Sequence, residues 1–174
     1  NFLAKKLLNI GITVLEMRVI PDDKKEIINT LNLLRKKYSY VFTSGGIGPT
    51  HDDITADCVA EAFGVPLPVN ETVKKMLSDY YPRGENDLNH ARLRMARIPL
   101  GASLIENPIS KAPGFKIENV FVLAGVPKIF QAMVNFALTD LDQADPILSE
   151  TIKLNKPEGE IAEKRSLIAE NFPN

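Results

Sequence analysis

The chain has 174 residues, 44% of them apolar and 25% charged, with a net charge of −1 and a single cysteine. That size buries one well-formed core and leaves no room for a second large domain, and interspersed charges of both signs give no long-range field for holding nucleic acid or an anionic membrane. No apolar run approaches the ~18 residues of a membrane-spanning helix, and Cys58, alone, forms no internal disulfide, which predicts a buried thiol in a reduced, cytoplasmic setting.

The sequence opens at Asn1 in helix-like fashion. Phe2, Leu3, Leu7 and Leu8 mark the end of a helix, Gly11 supplies a left-handed cap, and a strand is expected over Ile12 to Ile20. A further strand is expected ahead of this helix, before Asn1. Beyond Pro21, Asp22 and Asp23 are candidate caps for a surface helix whose Ile27, Ile28, Leu31 and Leu34 form an apolar stripe backed by Lys24, Lys25, Arg35 and Lys36. Tyr40 to Thr43 is the next strand, and Ile54 to Phe63 the next helix, closed by Gly64 with Pro66 beyond. The order α-β-α-β-α, with strands of continuous rather than alternating hydrophobicity, predicts an α/β protein with a largely parallel sheet covered by helices on both faces.

Residues 70–98 read as two polar helices around Pro82-Arg83-Gly84, with Arg92, Arg94 and Arg97 on a solvated surface. A short strand at Ser103 to Ile105, a loop from Glu106 to Gly114 and a buried strand at Val120 to Ala124 follow. Gly125-Val126-Pro127 then opens a helix with Ile129, Met133, Val134 and Ala137 on one face. One domain is expected over 1–145. Residues 146–174, with a short strand at Thr151 to Leu154 and a charged helix at Glu158 to Glu170, are expected to begin a small α+β appendage.

The densest chemistry lies in Thr43-Ser44-Gly45-Gly46-Ile47-Gly48-Pro49-Thr50-His51-Asp52-Asp53-Ile54-Thr55, where a strand passes through glycines into a helix. Such a junction can hold an anion, because glycines adopt the positive φ angles that make successive N–H groups converge, and the helix start adds partial positive charge. The spacing fits neither the Walker nor the dinucleotide fingerprint. Thr50 with Asp53 fits a helix capping box. Paired carboxylates beside a phosphate cradle also suit Mg²⁺, which is held by one or two carboxylates plus phosphate oxygens; Asp52 is the first candidate ligand and Asp53 the alternative. His51 is a candidate general acid or base. Neither His51 nor His90 has a partner at metal-ligand spacing, so no zinc site is expected. In the later loop, Asn107, Ser110 and Lys111 are candidates for a ligand's polar groups, against an ordinary turn built around Pro108, Pro113 and Gly114. If the strands before Gly45 and Gly125 are parallel, both junctions lie at the carboxyl edge of the sheet, where α/β proteins place ligands.

The string Thr43 to Thr55, together with Asn107-Pro108-Ile109-Ser110-Lys111-Ala112-Pro113-Gly114-Phe115 and Ala124-Gly125-Val126-Pro127, resembles the molybdopterin-binding (MoaB/Mog-like) domain family. Within it the likeness is greatest to the N-terminal domain of CinA, a competence/damage-inducible protein, and to the domain fused to eukaryotic FAD synthases. The resemblance covers nearly the whole chain, with the motifs in the family's order. It implies a three-layer α/β/α sandwich with a mostly parallel sheet, its first strand lying before Asn1. It also implies that Ser44, Gly45, Gly46, Ile47, Gly48, Pro49 and Thr50 bind a phosphate-bearing pterin or nucleotide, and that Asp52 or Asp53 holds a divalent metal, Mg or Co. Asn107, Pro108, Ser110, Lys111, Gly114, Gly125, Val126 and Pro127 match the other pocket-lining segments.

Ile47 stands where molybdenum-cofactor enzymes usually have threonine, and no arginine lies near His51, departures that the CinA-like branch tolerates. The departures count against molybdopterin adenylylation proper, and the resemblance implies a CinA-like, molybdopterin-binding-type domain that binds a phosphorylated pterin or nucleotide with a divalent metal, with a link to molybdenum cofactor biosynthesis. Its rival is a metal-dependent nucleotide pyrophosphatase that cleaves ADP-ribose or FAD to release AMP, with Asp52, Asp53 and His51 as catalytic candidates. A molybdopterin adenylyltransferase-like activity and a non-catalytic oligomerisation module are the remaining alternatives. The partner is expected to be a small phosphate- or pyrophosphate-bearing ligand, with neither nucleic acid nor membrane, in a homodimer or homotrimer.

Overall fold

The computed structural model describes residues 2–142, 153 and 155–172. In chain order the elements are α1 (Phe2–Leu8), α2 (Lys24–Lys37), β1 (Val41–Ser44), α3 (Thr55–Phe63), α4 (Glu71–Tyr80), α5 (His90–Arg94), β2 (Ser103–Ile105), β3 (Gly114–Ile117), β4 (Val120–Leu123), α6 (Pro127–Ala137) and α7 (Glu158–Asn171). Short polar side chains start α2, α4 and α5 by accepting otherwise orphaned N–H groups. Asp23 takes those of Lys25 and Glu26 at 2.9 and 3.0 Å, Asn70 that of Val73 at 3.1 Å, and Asn89 that of Arg92 at 2.9 Å. Gly64 closes α3 at φ 65°, and Pro127 occupies the first turn of α6, as their positions in the sequence predict.

The sheet runs in the order β1-β4-β3-β2. β4 is central, and its four residues, Val120 to Leu123, are wholly buried. Val120 and Val122 face one core, with Val41, Leu31, Val59, Val73 and Leu77; Phe121 and Leu123 face the other, with Leu7, Met133, Val134 and Ala137. This period of two on a strand buried from both sides explains its continuous hydrophobicity. Helices α2, α3 and α4 therefore cover one face and α1 and α6 the other, a three-layer α/β arrangement. Phe42 stacks on Phe121 across β1 and β4, ring centroids 4.7 Å apart.

Strand direction is mixed rather than largely parallel. β1 pairs β4 in parallel, Val41 opposite Val120 through Ser44 opposite Leu123, while β3 pairs antiparallel with both β4 and β2. The added strand is β3, which starts at Gly114, the last residue of the expected loop, in a stretch where no strand is expected from sequence. It returns into β4 through Glu118 and Asn119, with Glu118 at φ 49°, as a two-residue hairpin requires. Gly114 opens β3 against its neighbours: a Cβ there would lie 2.3 Å from the Val122 carbonyl oxygen and 2.5 Å from Met133 Cε.

The strand expected at Ile12 to Ile20 does not form. A strand exists by pairing, and no described strand lies beside this segment; Ile12 N–H bonds to Leu7 O at 2.9 Å, and residues 13 to 20 enter no ladder. Leu15, Met17 and Val19 stand 74, 83 and 98% exposed. Glu16 ties the segment to the body: it accepts from the Tyr38 hydroxyl at 2.6 Å and from Lys37 at 3.2 Å, besides its neighbour Arg18 at 2.5 Å. Cys58 is buried, which pushes its thiol pKa up. Helix α7 forms where the charged helix was expected, with no buried residue, whereas the strand at 151–154 rests on residues 151, 152 and 154, outside the described set. Among the described residues no helix is long and apolar enough to cross a membrane.

Gly114→Ala should destabilise the domain by about 2–3 kcal/mol in urea unfolding, because neither a backbone carbonyl nor the packed Met133 can give way; an unchanged midpoint would refute the close approach. The Tyr38 hydroxyl first, then Arg18 and Lys37, hold Glu16 at a pKa of about 2 against an ordinary 4.5. A depressed pKa means that the tether is fully present above 4.5 and is lost as pH falls through about 2. A carbon-13 NMR titration of this carboxyl should show that low midpoint.

Candidate functional site

β1 ends at the carboxyl edge of the sheet. Gly45 N–H makes the last rung, to Leu123 O at 2.9 Å, and φ angles of +101° at Gly45 and +70° at Gly46 then turn the chain out of the sheet. Gly46 O accepts from Thr55 N–H, the first residue of α3, at 2.9 Å, and a Cβ on Gly46 would lie 2.0 Å from Thr55 Oγ1. Across the edge, Gly125 leaves β4 so close that its own Cβ would lie 3.0 Å from Gly45 Cα. The two strand-glycine-helix junctions thus meet backbone to backbone, a consequence of the parallel pairing of β1 and β4.

Between them, backbone donors collect. Among the described residues, the N–H groups of Gly46, Ile47 and Gly48 have no protein acceptor, and α6 begins its own bonding only with Phe130 N–H to Val126 O at 2.8 Å. Lys128 and Ile129 N–H groups are therefore left over at the start of α6 as well. Gly125, Val126 and Pro127 are exposed, so this edge is open to a ligand.

The two carboxylates separate into different jobs. Asp53 Oδ2 accepts from Thr50 N–H at 2.9 Å and from the Thr50 hydroxyl, and Asp53 N–H returns to Thr50 O at 3.3 Å. This closes a turn ahead of the helix rather than capping it: α3 starts at Thr55, and its N-cap, Ile54, contributes no side-chain bond. A Cβ on Gly48 would lie 2.6 Å from Asp53 Oδ2, so this carboxylate also packs against the glycine turn. Asp52 is exposed. The neighbouring Thr50 hydroxyl first, then its own N–H and His51, hold its pKa below the usual aspartate value. One hydroxyl proton serves one carboxylate at a time, and the bond geometry gives it to Asp53, so the lasting influences on Asp52 are its own amide and His51. His51 is itself exposed. Among the described residues no cluster of three or more acidic, histidine or cysteine side chains could hold a metal, so Asp52 offers a single ligand.

The loop after β2 is organised by Asn107, which is only 3% exposed. Its Nδ2 donates to Ser110 Oγ at 2.6 Å and Ala112 O at 2.8 Å, and its Oδ1 accepts from Ile109 N–H at 3.1 Å and Ser110 N–H at 3.2 Å. All its hydrogen-bonding capacity lies within the loop. Asn107 and Ser110 thus shape the segment, and Pro108 sits exposed on it. The side chain they present is Lys111, exposed and held at φ 59° with its N–H on Asn107 O at 3.1 Å. Pro113 shares the lining of a small cavity with Ile47, Gly48 and Asp53, which brings this loop against the glycine turn.

Two residues assigned to a solvated surface belong here instead. Arg94 and Arg97 side chains are 21 and 22% exposed and reach α3 and the chain just before it. Their partners lie about forty positions away in sequence; the acidic Asp57 in the first turn of α3 is the one local hint of a cation to meet it. Arg92 belongs elsewhere, 4.0 Å over the Tyr81 ring and beside buried Asp87.

Residues 1–143 match the family model of a probable molybdopterin binding domain. A CinA-like protein of Sulfurihydrogenibium sp. (strain YO3AOP1) is 38% identical over 147 residues, covering 81% of this chain and 37% of that protein. A protein of Pyrococcus furiosus is 34% identical over 182 residues, covering 87% of this chain and 72% of that one. The crystal structure of CinA from Thermoplasma acidophilum, a protein described as of unknown function, matches with a TM-score of 0.72 at 33% identity, over 80% of this chain and 84% of that one. The chain thus spans little more than a third of the bacterial relative and nearly three quarters of the archaeal one. With the family model covering most of its length and CinA sharing its fold, this chain belongs to the probable molybdopterin-binding domain family, in the CinA-like group.

Proposed function

We propose that this domain binds a small phosphate-bearing ligand, a phosphorylated pterin or a nucleoside diphosphate, at the edge where Gly45 meets Gly125. The observation that carries this reading is the backbone contact between the two junctions, which leaves the N–H groups of Gly46, Ile47 and Gly48 without protein partners. Consecutive free amides next to positive-φ glycines suit phosphate oxygens, and Lys111 adds a positive charge from the adjacent loop. The near-neutral chain fits a ligand recognised locally.

A divalent cation fits the donors present if the ligand completes its shell. Asp52 is charged, exposed and free of Thr50, and hard cations such as Mg²⁺ accept one carboxylate together with phosphate oxygens and water. Such an ion would neutralise charge on the bound phosphates. Asp53 holds the turn in shape, and Gly46 to Gly48 orient the phosphate. The second reading is hydrolysis of a pyrophosphate bond with release of AMP. It draws on His51, an exposed imidazole next to Asp52 on the same loop, a side-chain type that serves as a general base.

Titration calorimetry with ADP-ribose or FAD and Mg²⁺ or Co²⁺ should detect binding, and AMP in the mixture would select hydrolysis. Asp52→Ala should weaken metal-dependent binding at least ~10-fold with little change in unfolding midpoint. Asp53→Ala should instead lower stability by about 1–2 kcal/mol, the effect of losing a turn-closing acceptor. Gly46→Ala introduces both a clash with Thr55 and an unfavourable φ, and should abolish binding. Affinities unchanged in Asp52→Ala and Gly46→Ala would refute the site and favour an interaction module.

A further inference from the structure

The short segment from Asp53 to Asp57 connects the glycine turn to α3, and two arginines from the far end of α5 and beyond hold it at both ends. Arg94 Nη2 donates to the Asp53 carbonyl oxygen at 2.9 Å. Arg97 grips Asp57 with a fork, Nη1 to Oδ1 and Nη2 to Oδ2, both at 2.8 Å, and Arg94 Nη2 stands 3.8 Å from the same carboxylate. A two-pronged arginine-carboxylate pair fixes direction as well as distance, which a single contact does not. Asp53 is the joint: its carbonyl belongs to Arg94, while its carboxylate holds Thr50 and packs on Gly48. A continuous line of contacts therefore runs from Arg97 through Asp57, Arg94 and Asp53 to the turn that carries the free amides.

We propose that Arg94 and Arg97 are positioning residues of the phosphate site, setting through Asp53 and Asp57 the conformation in which the Gly46 to Gly48 amides are presented. This inference rests on the phosphate-binding reading above. The arginines act at one remove. The cavity between them and the loop, lined by Ile47, Gly48, Asp53, Arg94, Arg97 and Pro113, has room for about one water molecule, too little for a phosphate to meet the guanidinium groups directly. Their burial also argues for placement rather than surface charge: Nε of each is buried without a protein acceptor, a cost that a solvated arginine does not carry.

The test compares Arg94→Met, Arg94→Lys and Arg97→Lys with the unmodified protein in two measurements. The first is amide hydrogen exchange without ligand, read at Thr50, whose N–H depends on Asp53. The second is calorimetric affinity for ADP-ribose with Mg²⁺. Arg94→Met should speed Thr50 exchange and weaken ADP-ribose binding, each at least tenfold, while amides of β4 keep their protection. Arg94→Lys, which retains a single cationic donor, should recover part of both losses, whereas Arg97→Lys, which loses the fork, should recover little. Unchanged Thr50 exchange in Arg94→Met and Arg97→Lys overturns the positioning role. So does exchange that rises equally in β4, which would make the arginines general fold determinants. Failure of the unmodified protein to bind ADP-ribose counts against the phosphate-binding reading and leaves the exchange measurement to decide the positioning role.

Discussion

Most of the site's geometry follows from the approach of Gly45 to Gly125, a contact with no side chain in it. β1 and β4 run parallel and adjacent, so both release their chains at the same edge, where a Cβ on Gly125 would press on Gly45 Cα at 3.0 Å and Gly45 itself takes a φ of +101° that favours glycine. The helices that follow, α3 and α6, pack on opposite faces of the sheet. Amides that would bond within a strand or a helix are instead left at the sheet edge. The buried β4 supports this edge from beneath, with a core on each face, so the edge is the end of a strand whose four residues are all fully buried.

Around that contact, residues with similar chemistry take different work. Asp52 and Asp53 are neighbours in sequence, but one faces solvent and the other is absorbed into a turn. Asn107 and Lys111 share a loop, and the amide side chain is fully engaged within it while the lysine is displayed. In both pairs the internally bonded member fixes where its partner stands. In the loop after β2 this division holds the segment in shape, because Asn107 bonds Ser110, Ile109 and Ala112 in a closed set.

What the sequence makes legible here is local. Asp23, Gly64 and Pro127 mark helix ends because caps act within one turn, and the stripes of α2 and α6 are visible because burial repeats at helical spacing. The two glycine junctions are legible for the same reason, and their coincidence follows once the strands are parallel. The hairpin of β3 is hidden, because Pro113-Gly114 signals a loop while the actual reason for glycine is the Val122 carbonyl across the sheet. The arginines are hidden more deeply: Arg92, Arg94 and Arg97 are spaced around a helix rather than along one face, as on a solvated surface, and the partners of Arg94 and Arg97 lie about forty residues back. Asn107 looks like a ligand contact because an asparagine that satisfies itself and one that awaits a ligand have the same letter.

The unpaired stretch from Thr13 to Val19 bears on handling the protein in solution. It combines a backbone outside any ladder with exposed, bulky apolar side chains, the two properties that let one polypeptide template another. Glu16 and Arg18 interrupt the run of Val14, Leu15, Met17 and Val19 at every second place and act as gatekeepers against stacking of like segments. Because Glu16 is also the anchor to Tyr38, the charge that keeps neighbouring molecules apart is the same one that keeps the segment folded back on its own domain. Glu16 therefore does two things at once in this part of the molecule, breaking the apolar run beside Arg18 and holding the segment to Tyr38.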